Sequence, residues 1–356
     1  MHLNIYRGDA VWLDIYGDLA SRQPDLGFDQ TPEWFEAYVS HVVPESGGAM
    51  MIGVMNGDTG EPLLAMPMLL SVPKRLQIRY LSALSNYYTS LFQPIFLGGE
   101  KARGGAVSFF VSVLGNGALE WDELMLEPLA GEHSFFKVLC RSLDASRYPY
   151  VVDECFVNWY LEVGGRSYEA YEQSLPSKLK NTFRRKQRKL ARELGYTICI
   201  AQKDDDLDDF ISDYESVYQK SWKSQEGHPQ FIRSIIKSFA RKGWLRLGLM
   251  YIAEKPVAAQ LWFVKDGVAS IYKLSYDGQY AKYSVGSILT AAMMRQVIDD
   301  DCVELVDFLT GDDAYKKDWM SHQQARYRIR IYNKHSWRGQ MLALWNMKIK
   351  PLLGKS

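Results

Sequence analysis

The sequence is poor in the features that mark metal-binding, secreted and membrane-spanning chains. Cysteine occurs four times, at Cys140, Cys155, Cys199 and Cys302. None are paired at C-x-x-C spacing and no histidine stands at a ligand spacing from them, so no metal site is expected and the thiols read as reduced. No window approaches eighteen consecutive apolar residues, which leaves no candidate membrane-crossing helix. The opening MHLNIYRGDAVWLDIYGD has no basic stretch followed by an apolar run, so no signal peptide is expected. Net charge is missing too: Lys plus Arg and Asp plus Glu both number 42. Global charge therefore predicts no DNA partner, and any polyanion site has to come from local charge. The expectation is a cytoplasmic protein, with a peripheral place at the inner membrane as the other option.

What is present is a globular composition, 47% hydrophobic and 24% charged over 356 residues. That length exceeds one ordinary domain and suffices for two. Short apolar runs separated by turn signals alternate with segments of helical spacing. Thr31-Pro32-Glu33 opens one helix with an N-cap, a proline at the first helical position and an acid. The interleaving predicts an α/β (α+β) chain of mixed sheets flanked by helices. Gly164-Gly165-Arg166-Ser167 is the expected boundary, giving domains 1–164 and 165–335 and a C-terminal helix, 336–356.

Local charge is concentrated in one place. Between Lys178 and Arg192 there are eight basic side chains and no acidic one. Leu179, Phe183, Gln187, Leu190, Ala191 and Leu194 share a face, so this is a basic amphipathic helix with Gly195 as its C-cap. Arg184, Arg185, Arg188 and Lys189 form its basic patch. The candidate partners are donor phosphates, an acyl carrier protein, a tRNA acceptor arm, or an anionic membrane or glycan surface.

The stretch Ser270 to Trp319 reads as strand, glycine-bearing loop, helix, strand and a turn ending in Tyr315-Lys316. Free backbone N–H groups at a helix start can hold a phosphate. Ser284, Val285, Gly286, Ser287 and Ile288 are the candidates, with Gly286 either allowing close approach or serving the turn alone. Asp307, on the following strand, suits a general base or an acceptor-orienting carboxylate, or else a buried carboxylate bonded to a turn. Trp222, at a helix end, and Gln260, polar in an apolar strand, are candidate pocket residues. Tyr272 and Lys273 are adjacent on one strand, so alternation predicts that only one faces a cleft.

Together, Pro256-Val257-Ala258-Ala259-Gln260-Leu261-Trp262, Ile271-Tyr272-Lys273-Leu274-Ser275-Tyr276-Asp277, Tyr283-Ser284-Val285-Gly286-Ser287-Ile288-Leu289 and Asp307 through Lys316 resemble the CelD/BcsL-type (BioF2-like) acetyltransferase family. That family belongs to the Gcn5-related superfamily and is related to the FemA/FemB/FemX peptidyltransferases. The resemblance covers about residues 165 to 335. It departs at Val285, where relatives often carry proline. It implies two Gcn5-related acyltransferase-like halves, the first a degenerate copy. It also implies transfer of an acyl group, most simply acetyl from acetyl-CoA or another acyl-CoA, to an amine or hydroxyl on a small-molecule or glycan acceptor in envelope or exopolysaccharide synthesis. Loop Ser284 to Ile288 would take the donor pyrophosphate. Lys316, rather than Lys317, would hold a phosphate or steady the oxyanion, and Tyr315 would protonate the leaving thiolate or simply pack. An aminoacyl-tRNA donor of the FemX type, a carrier-protein donor and a non-catalytic binding subunit are the alternatives. The C-terminal helix, with Trp337, Trp345 and Lys348, is expected to dock against the second domain, and a place on a membrane surface is the other reading.

Overall fold

The computed structural model describes residues 1–23, 25–44, 48–73, 77–203 and 207–353. They form two compact units, Met1–Phe156 with Ala325–Ser356, and Val157–Gln324. The division therefore falls at 156/157 rather than after Gly164, and the chain returns to the first unit at Ala325 instead of completing the second.

The first unit opens with β1 (His2–Arg7), α1 (Asp9–Ser21), α2 (Pro32–His41), β2 (Gly48–Met55), β3 (Pro62–Ser71) and β4 (Tyr80–Ala83). It continues with β5 (Ile95–Phe96), α3 (Glu100–Val113), β6 (Glu123–Ala130), α4 (Ser134–Ala145) and the start of β7 (Tyr150–Glu162). The Thr31 hydroxyl accepts from Trp34 N, so α2 begins as its sequence predicts. The sheet order is β1-β2-β3-β4-β6, with β5 on β3. Every neighbour is antiparallel except β4 and β6, which run parallel from Tyr80 opposite Glu123 to Ser82 opposite Met125. Met50, Ile52, Leu64, Met66, Phe110, Trp121 and Leu139 are core residues of this unit.

The second unit takes the end of β7 and adds α5 (Tyr168–Ser174), α6 (Ser177–Glu193), β8 (Thr197–Ala201), α7 (Leu207–Lys220) and α8 (Pro229–Arg241). Then come β9 (Leu245–Ile252), β10 (Lys255–Lys265), β11 (Val268–Tyr276), α9 (Val285–Arg295) and β12 (Leu305–Thr310). Its sheet order is β7-β12-β11-β10-β9-β8, with β11 and β12 the parallel pair. Helix α9 links those two strands and packs on the sheet through Val285, Leu289 and Met293. A Cβ at Gly248 in β9 would lie 2.4 Å from the Met293 sulfur, so glycine there lets the helix seat closely.

Strand β13 (His322–Tyr332) carries the chain back and pairs antiparallel with β6. A helix follows: α10 (Trp337–Leu344), a wider turn over Trp345–Ile349, and α11 (Lys350–Leu353). Residues 354–356 of the predicted C-terminal helix lie outside the described residues. Among the described residues no helix is long and apolar enough to cross a membrane, and no group of three or more His, Cys, Asp or Glu is placed to hold a metal.

Candidate active site

The second unit's parallel strands part early. β11 pairs with β12 only from Val268 opposite Leu305 to Ser270 opposite Asp307, although β11 runs on to Tyr276. Beyond that point β11 has no ladder partner on this side among the described residues, so its edge offers backbone groups to a ligand. A bulge adds to the opening. Ile271 pairs with Trp262 and Lys273 with Leu261, which leaves Tyr272 as the extra residue. That residue corrects the alternation expected from the sequence. The Tyr272 ring lies 5.2 Å from Phe263, whose own ring packs on Phe239 of α8. Lys273 Nζ lies 5.4 Å from the ring centre of Tyr218 on α7 and 5.8 Å from that of Tyr272. Both side chains thus face the α7/α8 side, because one inserted residue cancels one step of the pleat.

The other wall is the end of β12. Asp307 pairs with Tyr160 and Thr310 with Asn158, with a register shift between them. Leu309 takes φ 53°, a conformation costly for a side chain with a Cβ. Asp307 stabilises it: Oδ1 accepts 2.6 Å bonds from Leu309 N and from Asn158 Nδ2. Lys316 completes the turn from inside. Only 4% exposed, it donates from Nζ to Phe308 O at 3.2 Å and to Thr310 O at 2.5 Å, with Asp313 at 3.8 Å. Burial pushes its ammonium below the usual lysine value, against the pull of Asp313, Asp307 and Asp312. Lys317 is exposed. Trp159 Nε1 donates to Asp312 at 2.7 Å, and Tyr315, 42% exposed, meets Phe308 edge-on at 5.6 Å.

At the loop before α9, Ser284 adopts the left-handed conformation, and the helix opens with neither a side-chain cap nor an acid in its first turn. The first N–H groups of a helix have no partner within it. Val285 and Ile288 turn their side chains into the core, and Ile288 N already donates to Ser284 O at 3.1 Å, so of the two only the Val285 N–H can serve a ligand. A Cβ at Gly286 would lie 3.1 Å from the Tyr276 ring, and Trp222, largely exposed, lies 4.6 Å from that ring. Gln260 does not line a pocket. It is buried, donates to Gly286 O at 3.0 Å and Thr290 Oγ1 at 2.8 Å, and accepts from Trp262 Nε1. A polar residue in this apolar strand fastens the first turn of α9 to the sheet.

The basic helix α6 reaches the same loop. Lys186 Nζ donates to Lys282 O, Lys189 Nζ lies 5.5 Å from the Tyr283 ring centre, and the Tyr283 hydroxyl donates to Glu193. Arg184 instead pairs with Glu172 of α5, while Arg185 and Arg188 are exposed.

Between α7, α8 and the loop joining them is a cavity of about 600 Å³, lined by Tyr214, Tyr218, Lys223, Glu226 and the Glu215–Arg233 ion pair among others. Lys273 reaches Glu226 at 2.6 Å. Lys223 Nζ is 5.8 Å from the Tyr218 ring centre and has no ion-pair partner among the described residues. Its ammonium is pushed down to about 8, first by burial and then by Lys273 and Lys316, with Glu226 and Asp313 opposing. Sequence reasoning passed over Lys223 and Glu226 because a lysine and a glutamate in a polar loop look like any solvated pair.

Residues 177–317 match the family described as acetyltransferase (GNAT) domain. Over the whole chain, the crystal structure of FemX superposes with a TM-score of 0.62 at 11% identity, covering 98% of this chain and 100% of that one. The fold resembles that of FemX. L-PGS from Bacillus licheniformis follows at TM-score 0.53 and 12% identity, covering 86% of this chain and 90% of its own. A tandem GNAT protein from the clavulanic acid biosynthesis pathway gives 0.50 at 10% identity, covering 93% and 98%. No curated protein matches the sequence. On this GNAT-type fold, the parted strands, the start of α9 and the α7–α8 cavity all belong to the second unit.

Proposed function

We propose that the protein is an acyltransferase that moves an acyl group, most simply acetyl, from a CoA thioester to an amine or hydroxyl. The observation that carries this reading is the parting of β11 from β12 beside a helix start that has no acid of its own. Ser284 N and Ile288 N already donate to Ala281 O and Ser284 O, so the backbone N–H groups of Val285, Gly286 and Ser287 take the donor pyrophosphate, and Lys186 and Lys189 of α6 add positive charge at the loop. The thioester lies between the strands, where the open edge of β11 meets the developing oxyanion. The acceptor's lone pair attacks the carbonyl carbon, the C–S bond breaks, the thiolate takes a proton, from Tyr315 in this reading, and Tyr315 recovers the proton that the acylated amine or hydroxyl gives up. Lys316 has one N–H beyond the two given to carbonyls and supports the oxyanion, while Asp307 acts by holding the turn. The acceptor enters from the cavity beside Trp222, Tyr272, Lys223 and Lys273. The likeness of the motifs to the CelD/BcsL group supports a glycan acceptor in envelope or exopolysaccharide synthesis. In this reading the first unit is a non-catalytic copy.

A second reading has its own support: the fold likeness spans all of FemX, and basic α6 adjoins the loop. There the donor is an aminoacyl-tRNA, held through its phosphates. A thermal-shift screen with acetyl-CoA, longer acyl-CoAs, acyl carrier protein and aminoacyl-tRNA separates the two. A ligand at a hundredfold excess over Kd stabilises by about 2.7 kcal/mol. A shift with acetyl-CoA supports the first reading, a shift with aminoacyl-tRNA alone replaces it with the second, and no shift with any donor sinks both.

A further inference from the structure

The C-terminal helix, Trp337 through Leu353, is mounted by its small and polar residues and shows its large apolar ones to solvent. Ser336 caps it, accepting from Gly339 N while its hydroxyl donates to Asp122. At Gly339 a Cβ would lie 2.3 Å from Asn333 O and 2.9 Å from Asp122 O, so only glycine permits this seat. Gln340 Nε2 donates to Lys334 O at 2.8 Å, Ala343 is buried, and Arg330 joins Asn346 to Asp153. On the opposite side Trp337 is 63% exposed, Met341 62% and Leu352 75%, with Leu344 and Trp345 about half exposed. Their spacing of four, three, one and seven residues keeps them on one stripe of a helix.

A stripe that large and apolar is costly in water and marks a surface that is covered in use. The charge around it identifies the cover. Between Ser336 and Leu353 the charged residues are Arg338, Lys348 and Lys350, with no acid. Lys348 stands eleven residues after Trp337, within the apolar stripe, where a long stem can lie among apolar groups and lift its ammonium to a headgroup. Two exposed tryptophans with like-signed cations are the composition of a helix lying in a lipid interface. The helix is also too short and insufficiently apolar to cross one. We propose that this helix lies flat on an anionic membrane surface and holds the enzyme there.

The test is co-sedimentation of the full chain with phosphatidylcholine vesicles, with and without phosphatidylglycerol. Binding to the phosphatidylglycerol vesicles that weakens as salt rises is the expected result. Trp337→Ser with Trp345→Ser should weaken it at least about tenfold. Replacing Arg338, Lys348 and Lys350 by Gln should cost roughly fivefold for each charge. Tm serves as the folding control for both variants. Wild type that ignores anionic vesicles overturns the proposal, as does unchanged binding by the double tryptophan variant. It is equally overturned by a self-association in ultracentrifugation that the tryptophan variant abolishes, since a second copy would then be the cover.

Discussion

Each unit of this protein contains one parallel strand junction bridged by a helix, and the two junctions are built to opposite ends. In the first unit, β4 and β6 run parallel and α3 lies between them in sequence. There the chain fills the space around the junction itself. Ser85 Oγ donates to Glu127 O, Phe92 N donates to Pro128 O, and buried Asp29 accepts from Ser90 N, Ser90 Oγ and Leu91 N. The cavity beside Leu91 to Pro94 is about 10 Å³, too small for more than a water. In the second unit β11 leaves β12 after Ser270, carries a bulge, and a cavity of about 600 Å³ opens near its Lys273. Neither α3 nor α9 has a side-chain cap, but α3 begins with Glu100 and α9 begins with Val285, Gly286 and Ser287. A carboxylate in the first turn satisfies the helix dipole internally, and its absence leaves that field for an anion. One topology thus yields a closed element whose helix start carries its own acid and an open one whose helix start carries none.

The sharpest way to break this comparison is to block one helix start and spare the other. Gly286→Trp should remove the whole donor-induced stabilisation of about 2.7 kcal/mol at a hundredfold excess. Lys101→Trp, exposed in the first turn of α3, should leave it intact, and equal thermal shifts in the two variants would refute the assignment. Next in size is the turn past β12. Lys316→Met strands the carbonyls of Phe308 and Thr310, and denaturant unfolding should show a loss of about 1–3 kcal/mol. A fall in kcat beyond that of an equally destabilised variant of the first unit, Asp29→Asn, would separate an oxyanion role from a structural one. A milder change gives α9 the acid that α3 already has. Ser287→Glu should raise donor Kd about tenfold by titration calorimetry while leaving or slightly raising Tm.

A further effect is a pH dependence. The Lys223 ammonium is pushed down to about 8 in the folded chain, below lysine's ordinary 10.5. Between those values the unfolded chain binds more protons, so this residue makes stability rise with pH across that window. Lys223→Met should flatten that rise in unfolding curves taken from pH 8 upward. An unchanged slope would mean that Lys223 is solvated and outside the α7–α8 cavity.

Much of the scaffold was legible in the residues. Thr31 and Pro32 cap α2, Gly195 follows the basic helix, and the order from Ser270 to Trp319 is strand, loop, helix, strand and turn. These features rest on local chemistry: hydrogen bonds to nearby backbone, fixed φ, and apolar spacing. Less of the candidate site could be read. Gln260 looked like a pocket residue because nothing in its strand reveals that Gly286 O and Thr290 lie above it. Tyr272 and Lys273 were expected on opposite faces, and a bulge defined by the neighbouring strand's register put them on one.

The sequence by itself determined where the helices and strands lie, where positive charge gathers, and which helix start carries no acid. All of these follow from residues within a few positions of one another. Tertiary structure alone decided that β11 and β12 part after Ser270, that Lys316 is buried against two carbonyls, and that Lys223 lines a cavity whose Glu226 pairs with Lys273. It also decided that the C-terminal helix turns Gly339 inward and Trp337 outward. Pairing, burial and desolvation depend on groups far apart in the chain, and their cost or gain exists only once folding has brought those groups together.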